Sequence, residues 1–111
     1  MINEKQLIRM FHALANEHRL RVFLLLSEGE LCVCEIERIM KMKQSRISHM
    51  MRKLSSAGLT LSRREGKWII YSVNPRVKES PVIKSLFKEA GLSDKDIKEL
   101  KRCREKGPRA L

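Results

Sequence analysis

Between Glu4 and Ala15 the apolar residues Leu7, Met10, Phe11 and Leu14 recur three and four positions apart, the spacing that lines up side chains on one stripe of a helix. Asn16 then offers a side-chain oxygen as a cap for a second helix, which carries Leu20, Phe23, Leu24 and Leu26 and stops at Gly29. Glu30-Leu31-Cys32 is long enough only for a strand fragment, and Ile36, Ile39 and Met40 resume helical spacing behind it, predicting a third helix from about Cys34 to Met40. The turn Lys41-Met42-Lys43 leads into a fourth helix, Gln44 to Ala57, with Ile47, Met50, Met51 and Leu54 facing inward and Gly58 closing it. Two short helices joined by a tight turn predict a helix-turn-helix.

After Gly58 the pattern becomes extended. Leu59-Thr60-Leu61-Ser62-Arg63 and the β-rich Trp68-Ile69-Ile70-Tyr71-Ser72-Val73 flank a Glu65-Gly66 turn, in which Gly66 can take positive φ. Asn74-Pro75 is expected to end this hairpin. Two further helices follow, one around Val82 to Glu89 and one begun by Ser93, with Asp96 three residues on in a variant of the capping box. Ile83, Leu86, Phe87, Leu92, Ile97 and Leu100 give these end helices more apolar surface than a solvated tail needs. They are expected to pack against the first helix and against a second subunit, making a homodimer. The fold class is therefore mostly α with a small antiparallel β-hairpin (α+β), a winged helix-turn-helix that dimerises through its terminal helices. One domain spans 1–105, and 106–111 form a polar, basic tail.

Charge narrows the partner. In 111 residues, 24 Lys and Arg stand against 13 Asp and Glu, a formal net charge of +11, so a polyanion is the first partner to consider. No apolar run approaches the roughly 18 residues that span a bilayer, and the N-terminal stretch lacks the unbroken apolar segment of a secretory signal. The chain is accordingly expected in the cytoplasm, with no membrane partner and with thiols rather than structural disulfides.

The outward face of the fourth helix presents Gln44, Ser45, Arg46, Ser48, His49 and Arg52, side chains suited to base edges and phosphates in a major groove of double-stranded DNA. The first residues of a reading helix reach deepest, so Gln44 and Arg46 are the expected base contacts and Arg52 a backbone contact. Lys41 and Lys43 add phosphate neutralisation, as do Arg63, Arg64 and Lys67 near the hairpin tip, where a wing would meet the backbone.

These residues resemble the ArsR/SmtB family of bacterial and archaeal metal-responsive repressors over about residues 4–75. The resemblance rests on Ala13-Leu14-Ala15-Asn16-Glu17-His18-Arg19-Leu20, on Glu30-Leu31-Cys32-Val33-Cys34-Glu35-Ile36, on Gln44-Ser45-Arg46-Ile47-Ser48, and on Gly58-Leu59 followed by Arg63-Arg64-Glu65-Gly66-Lys67-Trp68 and Tyr71. It implies a homodimeric, non-enzymatic repressor that needs no cofactor to bind its operator and leaves it when an inducer binds, its two reading helices about 34 Å apart. In the middle turn of the reading helix, relatives often place His before Leu, whereas this chain has His49-Met50-Met51.

Cys32-Val33-Cys34 looks like the arsenic-sensing segment of that family, in which thiolates capture arsenite or antimonite; soft thiolates suit such soft centres. Residues two apart on an ideal helix point about 200° from each other, so the sulfurs converge only if the junction is non-helical. Some relatives carry a third cysteine three residues after the second, where this chain has Glu37. The third ligand is then Cys103, from its own or the partner subunit, or a group from outside the chain. Two alternatives share the fold: a redox switch through a disulfide, and zinc or cadmium sensing by the end helices, for which Asp94, Asp96, Glu99 and Glu105 without a histidine make a poor donor set. A thiol enzyme would call for Cys-x-x-Cys in a βαβ setting, which is absent from the sequence.

Overall fold

The computed structural model describes residues 2–105. The elements run α1 (Glu4–Leu14), α2 (Glu17–Leu26), β1 (Leu31–Cys32), α3 (Val33–Met40), α4 (Gln44–Ser56), β2 (Thr60–Glu65), β3 (Trp68–Val73), α5 (Pro75–Lys78), α6 (Pro81–Glu89) and α7 (Asp94–Glu105). The expected mostly helical winged helix-turn-helix is what forms; the tail 106–111 lies outside the described residues.

Side-chain caps set the starts of the first three helices. Asn3 and Gln6 form a capping box at α1, each side chain accepting the other's backbone N–H at 2.9 and 3.0 Å. Asn16 accepts from the N–H groups of both His18 and Arg19 at 3.0 Å, as its position before α2 predicts. Helix α3 starts one residue earlier than the apolar spacing suggests, because Cys32 is its cap. The extended Cys32 (φ −80°, ψ 163°) accepts the Glu35 N–H on Sγ at 3.2 Å, and the Glu35 carboxylate accepts the Cys32 N–H at 2.9 Å. At its far end Lys41 takes a left-handed conformation (φ 56°), the bend that swings the chain into α4.

The predicted hairpin is part of a three-stranded antiparallel sheet in the order β1-β3-β2. The fragment β1 joins the wing by pairing Leu31 with Tyr71 and Cys32 with Ile70. Glu65 still pairs with Trp68, so the loop is Gly66-Lys67, one residue beyond the expected Glu65-Gly66. Gly66 (φ 60°) occupies the first central position, where a II′ hairpin turn needs positive φ.

The core lies between α2, α3, α4 and the inner face of the sheet, with Phe23, Ile36, Ile47, Met51, Leu54 and Ile70 fully buried. Asn74-Pro75 ends the hairpin as expected, but it also starts the short α5: Asn74 accepts the Arg76 N–H at 3.1 Å, and Pro75 sits where a first-turn N–H has no partner to lose. Within the chain, the end helices do not pack chiefly on the first helix. Helix α6 buries Ile83 and sets Phe87 against Phe23 of α2, ring centroids 5.1 Å apart. Helix α7 lies against α3, not α1, drawn there by Asp96 pairing with Arg21 of α2 and by Arg104 donating to the Glu28 carbonyl at 2.7 Å. Among the described residues, no helix is long and apolar enough to cross a membrane.

Candidate functional site

Helix α4 divides as its sequence predicts: Ile47, Met50, Met51 and Leu54 are buried, whereas Gln44, Ser45, Arg46, His49 and Arg52 are exposed and Ser48 is half-buried. Lys41 and Lys43, also exposed, flank its start, and Lys43 occupies the cap position without a side-chain cap bond. The first-turn N–H groups of α4 therefore add partial positive charge beside those cations. The face is not uniform. Gln44, Ser45 and Arg46 cluster at the helix start, while His49 and Arg52 line a cleft shared with Ile8, Arg9 and His12 of α1. Arg52 also bears on Tyr71, whose hydroxyl pKa is raised by burial and drawn back by that guanidinium.

The wing brings Arg64 and Lys67 to the surface, with the Lys67 ammonium 5.2 Å from the centre of the Trp68 ring. Arg63 is engaged differently. Its guanidinium meets both Glu30 oxygens at 2.5 and 2.7 Å and Glu65 at 2.5 Å, and these carboxylates, Glu30 first, raise its pKa. Glu30 was not readable as its partner, since it lies 33 residues away in the chain, whereas Glu65, two residues on along β2, is a local neighbour that the sequence reading did not pair with it.

The thiol pair sits at the junction of β1 and α3. Cys32 is fully buried and Cys34 half-buried, their Cα atoms are 5.3 Å apart, and they are joined as a disulfide. The extended Cys32 followed by helical Val33 and Cys34 is the non-helical junction that convergence requires. Cys103 is buried on α7, and among the described residues no three His, Cys, Asp or Glu side chains gather at metal-holding distance. Beside Cys34 a cavity of about 170 Å³ is lined by Val33, Glu37, Gln44, Lys67, Trp68 and Ile69. It borders Cys34, Gln44 at the start of α4, and the wing at once. Sequence reasoning missed Trp68 as a neighbour of Cys34, because only the β1–β3 register brings the wing there.

Fold and surface together define a winged helix-turn-helix with a basic, exposed face on α4 and the wing. Residues 16–60 match the model of "Bacterial regulatory protein, arsR family". The arsenical resistance operon repressor of Escherichia coli K12 is 44% identical over 71 residues, 63% of this chain and 61% of that protein's length. A cadmium resistance transcriptional regulatory protein CadC homolog of Staphylococcus aureus is 31% identical over 96 residues, 86% of this chain and 75% of its own. Among solved structures, the homodimeric winged helix-turn-helix DNA-binding domain of a possible ArsR-family regulator from Mycobacterium bovis superposes with a TM-score of 0.65 at 25% identity, covering 96% of this chain and 88% of that one. The chain belongs to the ArsR family, whose members are DNA-binding transcriptional regulators and not enzymes.

Proposed function

We propose that this chain is a cytoplasmic, homodimeric repressor that reads duplex DNA with α4 and the wing, and leaves its operator when trivalent arsenic or antimony binds Cys32 and Cys34 as thiolates. The observation that carries this reading is the double attachment of Cys32: it caps α3, which packs on α4, and it pairs with Ile70 of the wing. A ligand drawing Cys32 and Cys34 together acts on both DNA-contacting elements through one residue. The third ligand comes from Cys103 or from outside the chain. Gln44 and Arg46 read bases; Lys41, Lys43, Ser45, Ser48, His49, Arg52, Arg63, Arg64 and Lys67 complete the DNA-facing set. The arsenical response named for the Escherichia coli relative supports the choice of inducer. A mobility-shift titration on the DNA upstream of its own gene, in a phosphine reductant, tests it: arsenite or antimonite releases the DNA, and release by cadmium or zinc alone overturns it.

A second reading is favoured by the disulfide itself. Oxidation of the reduced pair by a peroxide or another two-electron oxidant closes Cys32–Cys34 at the same junction. Release of DNA by oxidant without metalloid, reversed by reductant, supports that switch.

A further inference from the structure

Helices α1 and α4 do not close fully on each other. Between them lies an open cleft of about 680 Å³, within the size range of small-molecule sites. Ala13 and Ala57 give it an apolar wall, and the charged groups that line it, Arg9, Arg19, Arg52 and Lys53, are all cations; no aspartate or glutamate is among its lining residues. Arg19 is held in place, its Nε donating to the Ala13 carbonyl at 2.6 Å, so its charge stays at the cleft with little left to order on binding. Arg21 and Arg63 have carboxylate partners within the chain, whereas among the described residues none of the four cleft cations has one. The complement of uncompensated positive charge beside an apolar wall is an anion with an apolar body. A DNA phosphodiester answers the charge and leaves the wall uncovered. An aromatic carboxylate answers both: its two oxygens take a guanidinium in a bidentate pair, and its ring lies on the wall and against the His12 and His49 rings that also line the cleft.

The geometry points to a ligand site for an aromatic carboxylate in this cleft, separate from the thiol pair and sharing His49 and Arg52 with the DNA-reading face. Ligand and DNA then compete for the same side chains, and by reciprocity each weakens the other's affinity by the same factor. This competition rests on the reading of α4 as the DNA-facing helix; binding of the carboxylate itself does not. Neither involves the thiols, since no cysteine lines the cleft.

Titration calorimetry on reduced full-length protein tests the site with 2-naphthoate, its neutral isostere 2-naphthamide, and inorganic phosphate. One naphthoate per chain is expected, bound about tenfold tighter than either control. Arg9→Gln and Lys53→Gln, both at exposed positions outside the DNA-facing set, each lower that affinity about fivefold. Ser56→Phe, also at an exposed position, fills the cleft from α4 and abolishes binding, with thermal unfolding and sedimentation unchanged from the parent. In mobility shifts, naphthoate releases DNA from the parent and from Cys34→Ser alike, and naphthamide releases neither. Naphthoate bound no tighter than naphthamide, or bound equally by the parent and all three variants, overturns the site. Phosphate bound as tightly as naphthoate overturns it too, and makes the cleft a contact for the DNA backbone. Naphthoate bound as expected with DNA affinity unchanged leaves the site standing and overturns the competition, and with it the placing of His49 and Arg52 on DNA.

Discussion

Arg21 and Asp96, 75 residues apart in the chain, meet through two N–H···O bonds of 2.9 and 2.6 Å, with the Asp96 side chain 5% exposed. The pair fastens the first turn of α7 to α2, and Asp96 takes no part in the proposed DNA or thiol sites. Removing Asp96 leaves the guanidinium without its carboxylate. Arg21 is 29% exposed, so water recovers part of that loss, and Asp96→Ala is expected to cost about 1–3 kcal/mol, below the range for a fully buried pair. Urea unfolding measures it. An unchanged midpoint would show that α7 is held without the Arg21–Asp96 pair, by its apolar packing and the Arg104–Glu28 bond.

The cap at Cys32 separates folding from sensing. Its sulfur accepts one N–H, a task that a serine hydroxyl performs at least as well, so in reductant, against the reduced parent chain, Cys32→Ser is expected to keep thermal stability within about 0.5 kcal/mol, and Cys32→Ala to lose about 1 kcal/mol. Cys34 carries no cap, and Cys34→Ser should bind DNA like the parent chain yet fail to release it on adding arsenite. Equal release from both proteins would remove Cys34 from the sensor.

Local signals explain why so much of this fold could be read in advance. The stripes of α1 and α4, the Asn16 cap and the β-rich Trp68–Val73 segment are set by residues within a few positions of one another. The features that escaped depend on distant partners. Arg63 reads as a phosphate contact until Glu30 is placed beside it, and the docking of α7 on α3 follows from an ion pair that spacing does not encode. The site divides the same way. Paired cysteines and a basic helix face are visible in the sequence, whereas the wing-side wall of the cavity exists only once β1 pairs with β3. Asn74-Pro75 is a local signal with two meanings, a stop for the strand and a start for α5.

Lys41 offers a test of backbone strain. A side chain at φ 56° pays a steric penalty that glycine avoids, and the Lys41 backbone N–H still bonds the Glu37 carbonyl at 2.8 Å. Lys41→Gly is expected to stabilise the chain by about 0.5–1 kcal/mol in thermal unfolding, the relief exceeding the entropy cost of glycine. The same variant loses one phosphate-directed charge, so its DNA affinity falls as its stability rises.

Helix α1 leaves Ile8 and Phe11 60% and 54% exposed on one face, an apolar surface suited to the proposed dimer. Neither side chain belongs to the buried core, so Phe11→Glu should leave the monomer folded. Sedimentation is expected to show the parent as a dimer and Phe11→Glu as a monomer, with DNA affinity reduced because one reading helix engages instead of two. A variant that remains dimeric would move the interface elsewhere on the surface.

The cations of the reading surface should divide by how they respond to sequence and to salt. Arg46, exposed in the first turn of α4, is placed for a base edge; Arg46→Ala is expected to cost about 1–3 kcal/mol on the operator and to relax discrimination at one base pair. Lys67 at the wing tip is placed for phosphate, and Lys67→Ala should weaken all sequences alike while lowering the salt slope by about 1. Arg63 follows neither pattern, because Glu30 and Glu65 hold its guanidinium and largely cancel its charge as seen by DNA. Arg63→Ala therefore exposes two carboxylates, and its loss in affinity should exceed that of Lys67→Ala. Glu30→Gln removes one of the carboxylates and should strengthen binding at low salt. Mobility shifts across a salt series decide it: if Glu30→Gln binds no better than the parent, the Arg63 pairing does not govern how the wing meets DNA.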